Sequence, residues 1–407
     1  MQRLRTWLLA LAAFGLAWAG FGFAQFTPVT AETLENPDDG DWLMARRTFN
    51  GWGHSPLSQI DTDNVSSLQL AWSVSMEPGN NQATPLVYDG VMYLAHPNDI
   101  IQALDATTGD LIWEYRRDLP EFEGRGGIAS LSEITRNIAI YEGLLYHQAA
   151  DAAIIAIDAQ TGQVVWETST GDWQNMGNSA GPIVIDGKVV SGRNCEYGFP
   201  GGCFIAAHDS ESGEELWRTY LIPRPGEPGS DSWGDLPLES RVHVGAWGQV
   251  GAYDPDLNLI YWGTSVPAPS PEVLRGTVGD DVLYSNSTLA LDADTGEIVW
   301  YYQHLPRDNW DLDHPFERMI VDTTAAPNPD EVEWISPDIV PGQVYKTMTG
   351  IPGKTGIVYT LDRETGEFLW ARTTVRQNVI TEIQGDGTVV VNEDVIPDSI
   401  MDPYGEV

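Results

Sequence analysis

Apolar and polar positions fall into one short pattern that recurs five times along the chain. It opens with Ala103, Asp105, Thr108, Gly109 and Trp113, and returns at Ala156, Asp158, Thr161, Gly162 and Trp166. Further copies run through Ala207, Asp209, Ser212, Gly213 and Trp217, then Ala290, Asp292, Thr295, Gly296 and Trp300. The fifth uses Thr360, Asp362, Thr365, Gly366 and Trp370, and a weaker relative, Leu70-Ala71-Trp72, lacks the turn. Each copy reads as strand, tight turn, strand. The Asp side chain caps backbone amides ahead of it, and Gly supplies a positive φ. The residues that follow, such as Leu-Ile-Trp or Val-Val-Trp, favour strands. Upstream stretches 85–93 and 181–190 read as hairpins around Asp89-Gly90 and Asp186-Gly187. The unit is therefore about four antiparallel strands.

The tryptophans are 41, 53, 51, 83 and 70 residues apart. The shorter spacings fit one propeller blade per repeat. The longer ones predict insertions near 220–245 and 303–350. The expected fold is all-β: a β-propeller of four-stranded antiparallel blades, about six in number. The repeated Trp has a mechanical role. A blade cannot bury both faces alone, and a large ring wedged against the next blade fixes the angle between them.

Composition narrows the function. The chain has 407 residues, 42% of them hydrophobic, which excludes a mostly disordered protein. Its net charge of −38 repels phosphate backbones, so nucleic acid is excluded as a partner. Two cysteines exclude a disulfide scaffold and a multi-cysteine zinc module. Arg3 and Arg5 precede an apolar run from Trp7 to Ala24, with small residues at Gly22 and Ala24. Residues 1–24 thus read as a secretory signal peptide, and 25–407 as the propeller domain. An uncleaved anchor ranks second, because the run is short and interrupted by glycine. The expectation is a periplasmic protein with no stable membrane insertion after cleavage. Export places Cys195 and Cys203 where a disulfide can persist.

The repeated motif resembles the tryptophan-docking motif of pyrroloquinoline quinone (PQQ) dependent alcohol dehydrogenases, the methanol/ethanol dehydrogenase family. Gly40-Asp41-Trp42 with Arg46-Arg47, the Gln82-to-Tyr93 hairpin, and Gly356-to-Arg363 carry the resemblance further. It covers about residues 40–407. The family fold is an eight-bladed propeller with PQQ and a metal ion on its axis. The family normally continues past the position of Val407, so the chain reads as C-terminally truncated, or else as a smaller, open propeller.

The resemblance assigns roles residue by residue. In Asn309-Trp310-Asp311-Leu312-Asp313, Asp311 matches the general base that takes the alcohol's hydroxyl proton. Asp313, two residues on, points the same way in an extended segment. Two convergent carboxylates suit a hard cation, and family members with the second Asp tend to use a lanthanide rather than calcium. Glu196 matches the family's metal-binding Glu. The implied metal ligands are Glu196, Asp311 and Asp313, holding Ca2+ or a lanthanide ion. Lys354 matches the cation that contacts the quinone C5 carbonyl, where it stabilises negative charge. Arg136 matches an arginine that pairs with a PQQ carboxylate. Ser179 matches a hydroxyl near the cofactor, Trp247 the ring stacked under it, and Gln82 stands where a contacting Glu is common.

Three departures stand out. Val266 replaces a metal-ligating Asn, with Ser265 or Asp313 as candidates to compensate. Ser130-Leu131-Ser132 stands where many members carry adjacent cysteines. Gln82 lacks the usual charge. The sequence has no strand-following Gly-x-Gly-x-x-Gly, no P-loop, no Gly-x-Ser-x-Gly elbow and no close histidine spacing. The function implied is oxidation of an alcohol to an aldehyde or ketone, with electrons passed to a cytochrome c that the acidic surface could steer. The alternative is a non-catalytic propeller acting as a periplasmic binding or scaffold protein. Val266 favours it, while the set Asp311, Glu196, Lys354 and Arg136 favours the enzyme.

Overall fold

The computed structural model describes residues 26–120, 134–195, 201–248 and 250–397. The proposed signal peptide, Ser130–Ser132 and Glu196 lie outside the described residues. Among the described residues, five sheets of at least four antiparallel strands follow one another along the chain. Blade 1 runs through Leu86–Tyr88, Val91–His96, Ile100–Asp105 and Leu111–Arg116. Blade 2 comprises Ala139–Tyr141, Leu144–Gln148, Ala153–Asp158 and Val164–Ser169. Blade 3 comprises Ile183–Ile185, Lys188–Gly192, Phe204–Asp209 and Glu215–Tyr220. Blade 4 comprises Ala252–Asp254, Leu259–Gly263, Ser287–Asp292 and Ile298–Gln303. Blade 5 comprises Met319–Thr324, Val344–Gly350, Ile357–Asp362 and Phe368–Thr373, with Trp334–Ile335 added outside the last strand. A hairpin, Ile380–Ile383 with Val389–Val391, follows. Among the described residues no helix is long and apolar enough to cross a membrane.

The burial pattern explains the order of strands. In blade 2 the third strand, Ala-Ile-Ile-Ala-Ile, is buried at every one of those positions, because other blades cover both of its faces. The fourth strand alternates exposed and half-buried residues, as an outer edge should. The hairpin turns have the chemistry expected of them. Asp89 and Gly90 both take positive φ (48° and 77°), as do Asp186 and Gly187 (45° and 74°). That geometry suits the twist of the flanking strands.

The motif works as a joint between blades. Asp158 Oδ1 accepts the amides of Gln160 and Thr161 and the Thr161 hydroxyl, which closes the turn. Trp113 of blade 1 then lies on Gly162 of blade 2 and donates its indole N–H to Ala159 O at 3.0 Å. Trp166 does the same to Ser210 O, Trp217 to Ala293 O and Trp300 to Arg363 O. A Cβ built on Gly162 (φ +72°) would sit 2.6 Å from the Trp113 ring. Gly162→Ala is therefore expected to lower the urea unfolding free energy by about 2 kcal/mol, combining a left-handed non-glycine residue with a displaced ring. An unchanged urea midpoint would count against the joint.

One expectation about organisation is corrected. The stretch 303–350 is not an insertion as a whole, since it holds the first two strands of blade 5. The motif marks only the last two strands of a blade, so its spacing cannot register the first two. The expected propeller of four-stranded antiparallel blades is present, with five full blades and a further hairpin among the described residues. Trp72 packs on Gly109 and donates to Ala106 O (3.2 Å) as the other tryptophans do, but its flanking segment joins no sheet and leaves Leu70 exposed.

Candidate active site at the ends of the inner strands

The candidate residues share one place in the blade. Gln82, Arg136, Ser179, Trp247, Asp313 and Asp311 lie three to eight residues before the first strand of blades 1 to 5. Val266 and Lys354 lie just after the second strand of blades 4 and 5. First and second strands form antiparallel hairpins, so both positions fall at the same end of their blade. Short ladders continue this end: Met176–Gly177 with Asn194–Cys195, and Val242–His243 with Pro267–Ala268. Residues far apart in sequence are collected by this repeated geometry.

One cluster forms around Arg136. Its guanidinium lies 5.0 Å from the centroid of the Trp247 ring and donates to Ser179 O at 2.9 Å. Arg136 is 7% exposed, and no carboxylate pairs with it among the described residues. Burial pushes its pKa down to about 10, so it remains a cation at neutral pH. A buried cation without an acid is costly, and a bound carboxylate would offset that cost. The contact from Ser179 is its carbonyl rather than the expected hydroxyl. Gln82 donates its backbone N–H to Thr135 O at 2.9 Å, which places it beside Arg136, but its own side chain is exposed.

The second cluster forms around Lys354. Its ammonium donates to Asp313 Oδ2 at 2.6 Å and to Asp311 O at 2.9 Å, and lies 3.5 Å from Asp311 Oδ2. Burial works against the ammonium, but the carboxylates of Asp313 and Asp311 outweigh it and hold its pKa above the usual value. The two acids differ sharply. The Asp313 side chain is 4% exposed and its Oδ1 accepts the Val266 N–H at 2.9 Å, whereas that of Asp311 is 60% exposed. Partial burial and the neighbouring Asp313 push the Asp311 pKa up, with Lys354 opposing them. An accessible carboxylate with a raised pKa, beside a cation, is the state expected of a general base.

The two clusters are connected. Ser265 and Gly245 exchange hydrogen bonds at 2.7 and 2.8 Å, joining the segment before Trp247 to the one carrying Val266. Trp247 meets Phe316 edge-on, at 6.0 Å and 88°. The structure thus brings together Arg136, Ser179 and Trp247, and separately Asp311, Asp313 and Lys354, in adjoining clusters. Cys195 and Cys203 form a disulfide that brackets Glu196.

Fit to the implied groups can be tested on this geometry. An anionic quinone suits Arg136, which has no acid partner among the described residues, and the indole beneath it. For an ion, Asp311 and Asp313 converge on a single positive charge, as oxygen ligands for a hard cation do. Val266 offers only backbone, and the Ser265 hydroxyl is turned to Gly245 N. Among the described residues no three His, Cys, Asp or Glu side chains cluster as a metal site.

Comparison with known proteins decides the family. A family described as glucose/ethanol/alcohol dehydrogenase, beta-propeller domain (PQQ), matches residues 42–383. The chain belongs to the PQQ-dependent alcohol dehydrogenase family. It is 34% identical over 357 residues to the quinohemoprotein alcohol dehydrogenase ADH-IIG of Pseudomonas putida, covering 84% of this chain and 46% of that protein. It is 33% identical to the quinohemoprotein alcohol dehydrogenase of Comamonas testosteroni, covering 92% and 53%. The solved structure of the Pseudomonas putida enzyme superimposes with a TM-score of 0.75 over 88% of this chain and 51% of the other. A europium-containing methanol dehydrogenase gives 0.74 at 26% identity, over 90% and 63%. The chain thus spans about half the length of the curated relatives it matches.

Sequence reasoning missed Asp308. It reads as one more loop acid among 59 acidic residues, yet it is fully buried beneath Asp311. The available signal was its spacing. An Asp two residues before the Trp of Asn-Trp-Asp is placed to accept the amide at i+2.

Proposed function

We propose that this protein is a PQQ-dependent dehydrogenase that oxidises an alcohol to an aldehyde or ketone. The observation that carries the reading is the buried Arg136, which lies over Trp247 with no acid beside it among the described residues, at the same end of the blades as Asp311 and Lys354. Its relatives named quinohemoprotein alcohol dehydrogenase support the same chemistry. When bound, the quinone would supply the acceptor for the hydride, which carries both electrons of the oxidation.

The roles of the chain's own residues follow from their surroundings. Arg136 binds a carboxylate of the cofactor, and Trp247 supports its ring. Asp311 takes the hydroxyl proton of the substrate at its exposed carboxylate. Lys354, held by Asp313, presents a positive charge toward developing negative charge in the site. Asp311 and Asp313, with Glu196, would hold a calcium or lanthanide ion, which polarises oxygen as a Lewis acid. The europium-containing methanol dehydrogenase of similar fold supports a lanthanide as that ion.

The reading extends to location and acceptor. The apolar, Arg-led run at residues 1–24 supports export to the periplasm. A relative named 1-butanol dehydrogenase (cytochrome c), from Thauera butanivorans, 32% identical, supports a cytochrome c as acceptor. The net charge of −38 suits a basic one. The test is reconstitution of the purified protein with PQQ plus calcium or lanthanum, followed by dye reduction with a panel of primary and secondary alcohols. Alcohol-dependent dye reduction is expected. Its absence with every alcohol and both ions would leave the scaffold alternative standing.

A further inference from the structure

We propose that Asp308 is the positioning residue of the base, a buried carboxylate that holds Asp311 at the apex of its turn. The proposal rests on the assignment of Asp311 as base. Asp308 is completely buried. Its Oδ1 accepts the N–H of Trp310 at 2.8 Å, and its Oδ2 accepts the N–H of Leu312 at 2.8 Å. Those amides stand on either side of Asp311. Tying both to one carboxylate forces the residue between them outward, and Asp311 accordingly takes a left-handed conformation (φ 65°). A non-glycine residue there is disfavoured by about 1 kcal/mol or more, and it persists only where its surroundings over-determine it. Asp308 is that surrounding.

The clamp is anchored on blade 4 as well. Asn286 donates its side-chain amide to Asp308 Oδ2 at 2.8 Å, and its backbone N–H to Ser265 O at 3.1 Å. Ser265 precedes Val266, whose N–H holds Asp313. A single buried carboxylate therefore links the base's turn to the strand end that fixes the second acid. The flanks are braced independently. Asn309 Oδ1 accepts the Glu272 N–H at 2.8 Å, and Arg307 pairs with the buried Glu272 at 3.1 Å. Burial pushes the Asp308 pKa up, and the three donated hydrogen bonds oppose that rise. Asp308 lies inside the protein, so its effect on the reaction passes through Asp311.

The test compares D308A, D308N and D311N with the wild type by two readouts. The first is amide hydrogen exchange of peptides covering 309–313, measured without quinone. The second is kcat and KM in the reconstituted enzyme. In D308A, exchange at Trp310 and Leu312 should quicken at least tenfold. Its kcat should fall about 10- to 100-fold, while KM and PQQ affinity stay within about twofold. D308N keeps one acceptor oxygen and should recover part of both losses. Unchanged exchange in D308A, or faster exchange with wild-type kcat, overturns the proposal. If D308A does not fold, D308N must still show faster exchange and a lowered kcat, and wild-type values there overturn it too. Should D311N turn over normally, the base assignment fails, and the exchange data then judge the clamp by itself.

Discussion

Asp311→Asn is expected to cut alcohol turnover by about 10²–10⁴-fold while leaving PQQ bound with near wild-type affinity. The substitution keeps the volume of the side chain and removes its ability to accept a proton. The turn should survive, because the contacts that shape it belong to neighbours. Trp310 and Leu312 are held through their amides by Asp308, and Lys354 keeps its hydrogen bonds to the Asp311 backbone carbonyl and to Asp313 when the Asp311 carboxylate is lost. Wild-type turnover should also rise with pH as Asp311 loses its proton. In the protein free of quinone and metal, burial and Asp313 hold the Asp311 carboxyl above the ordinary carboxylate value of 3.8, with Lys354 limiting the shift. Measuring kcat against pH, alongside quinone content, checks both statements. A variant with normal turnover would remove Asp311 from the chemistry.

Arg136→Met is expected to separate stability from function in opposite directions. Arg136 is a cation held in a buried place with one hydrogen bond and no acid among the described residues. Methionine fills similar volume without charge, so the quinone-free variant should unfold at the same or a higher temperature. Its affinity for PQQ should fall about 10- to 100-fold, the value of a charge-assisted hydrogen bond of about 1.5–3 kcal/mol. Arg136→Lys should lie between the two, because it keeps the charge and loses the planar fork. If Arg136→Met destabilised the quinone-free protein strongly without changing PQQ affinity, Arg136 would be a structural residue.

The blades were legible because each copy of the motif must close the same turn and seat the same ring. Asp158, Gly162 and Trp113 illustrate this: each is held at a fixed spacing by a contact that other residue types would not make. The first two strands of blade 5 were not legible, since the hairpin Met319–Thr324 and Val344–Gly350 bonds mainly through backbone and needs no particular side chain. The site divides in the same way. Asp311, Asp313 and Lys354 could be singled out by their motifs, and they do meet. Asp308 could not, because burial is a property of the assembled blade ends. Nor could the sequence tell that Val266, unable to ligate through its side chain, would hold Asp313 through its backbone.

The most direct measurement is a structure of the protein soaked with PQQ. The quinone is expected against the face of Trp247, with a carboxylate on Arg136 and its carbonyl edge toward Lys354. A quinone bound elsewhere on the propeller, or none at saturating concentration, would contradict the assignment of this blade end as the redox site.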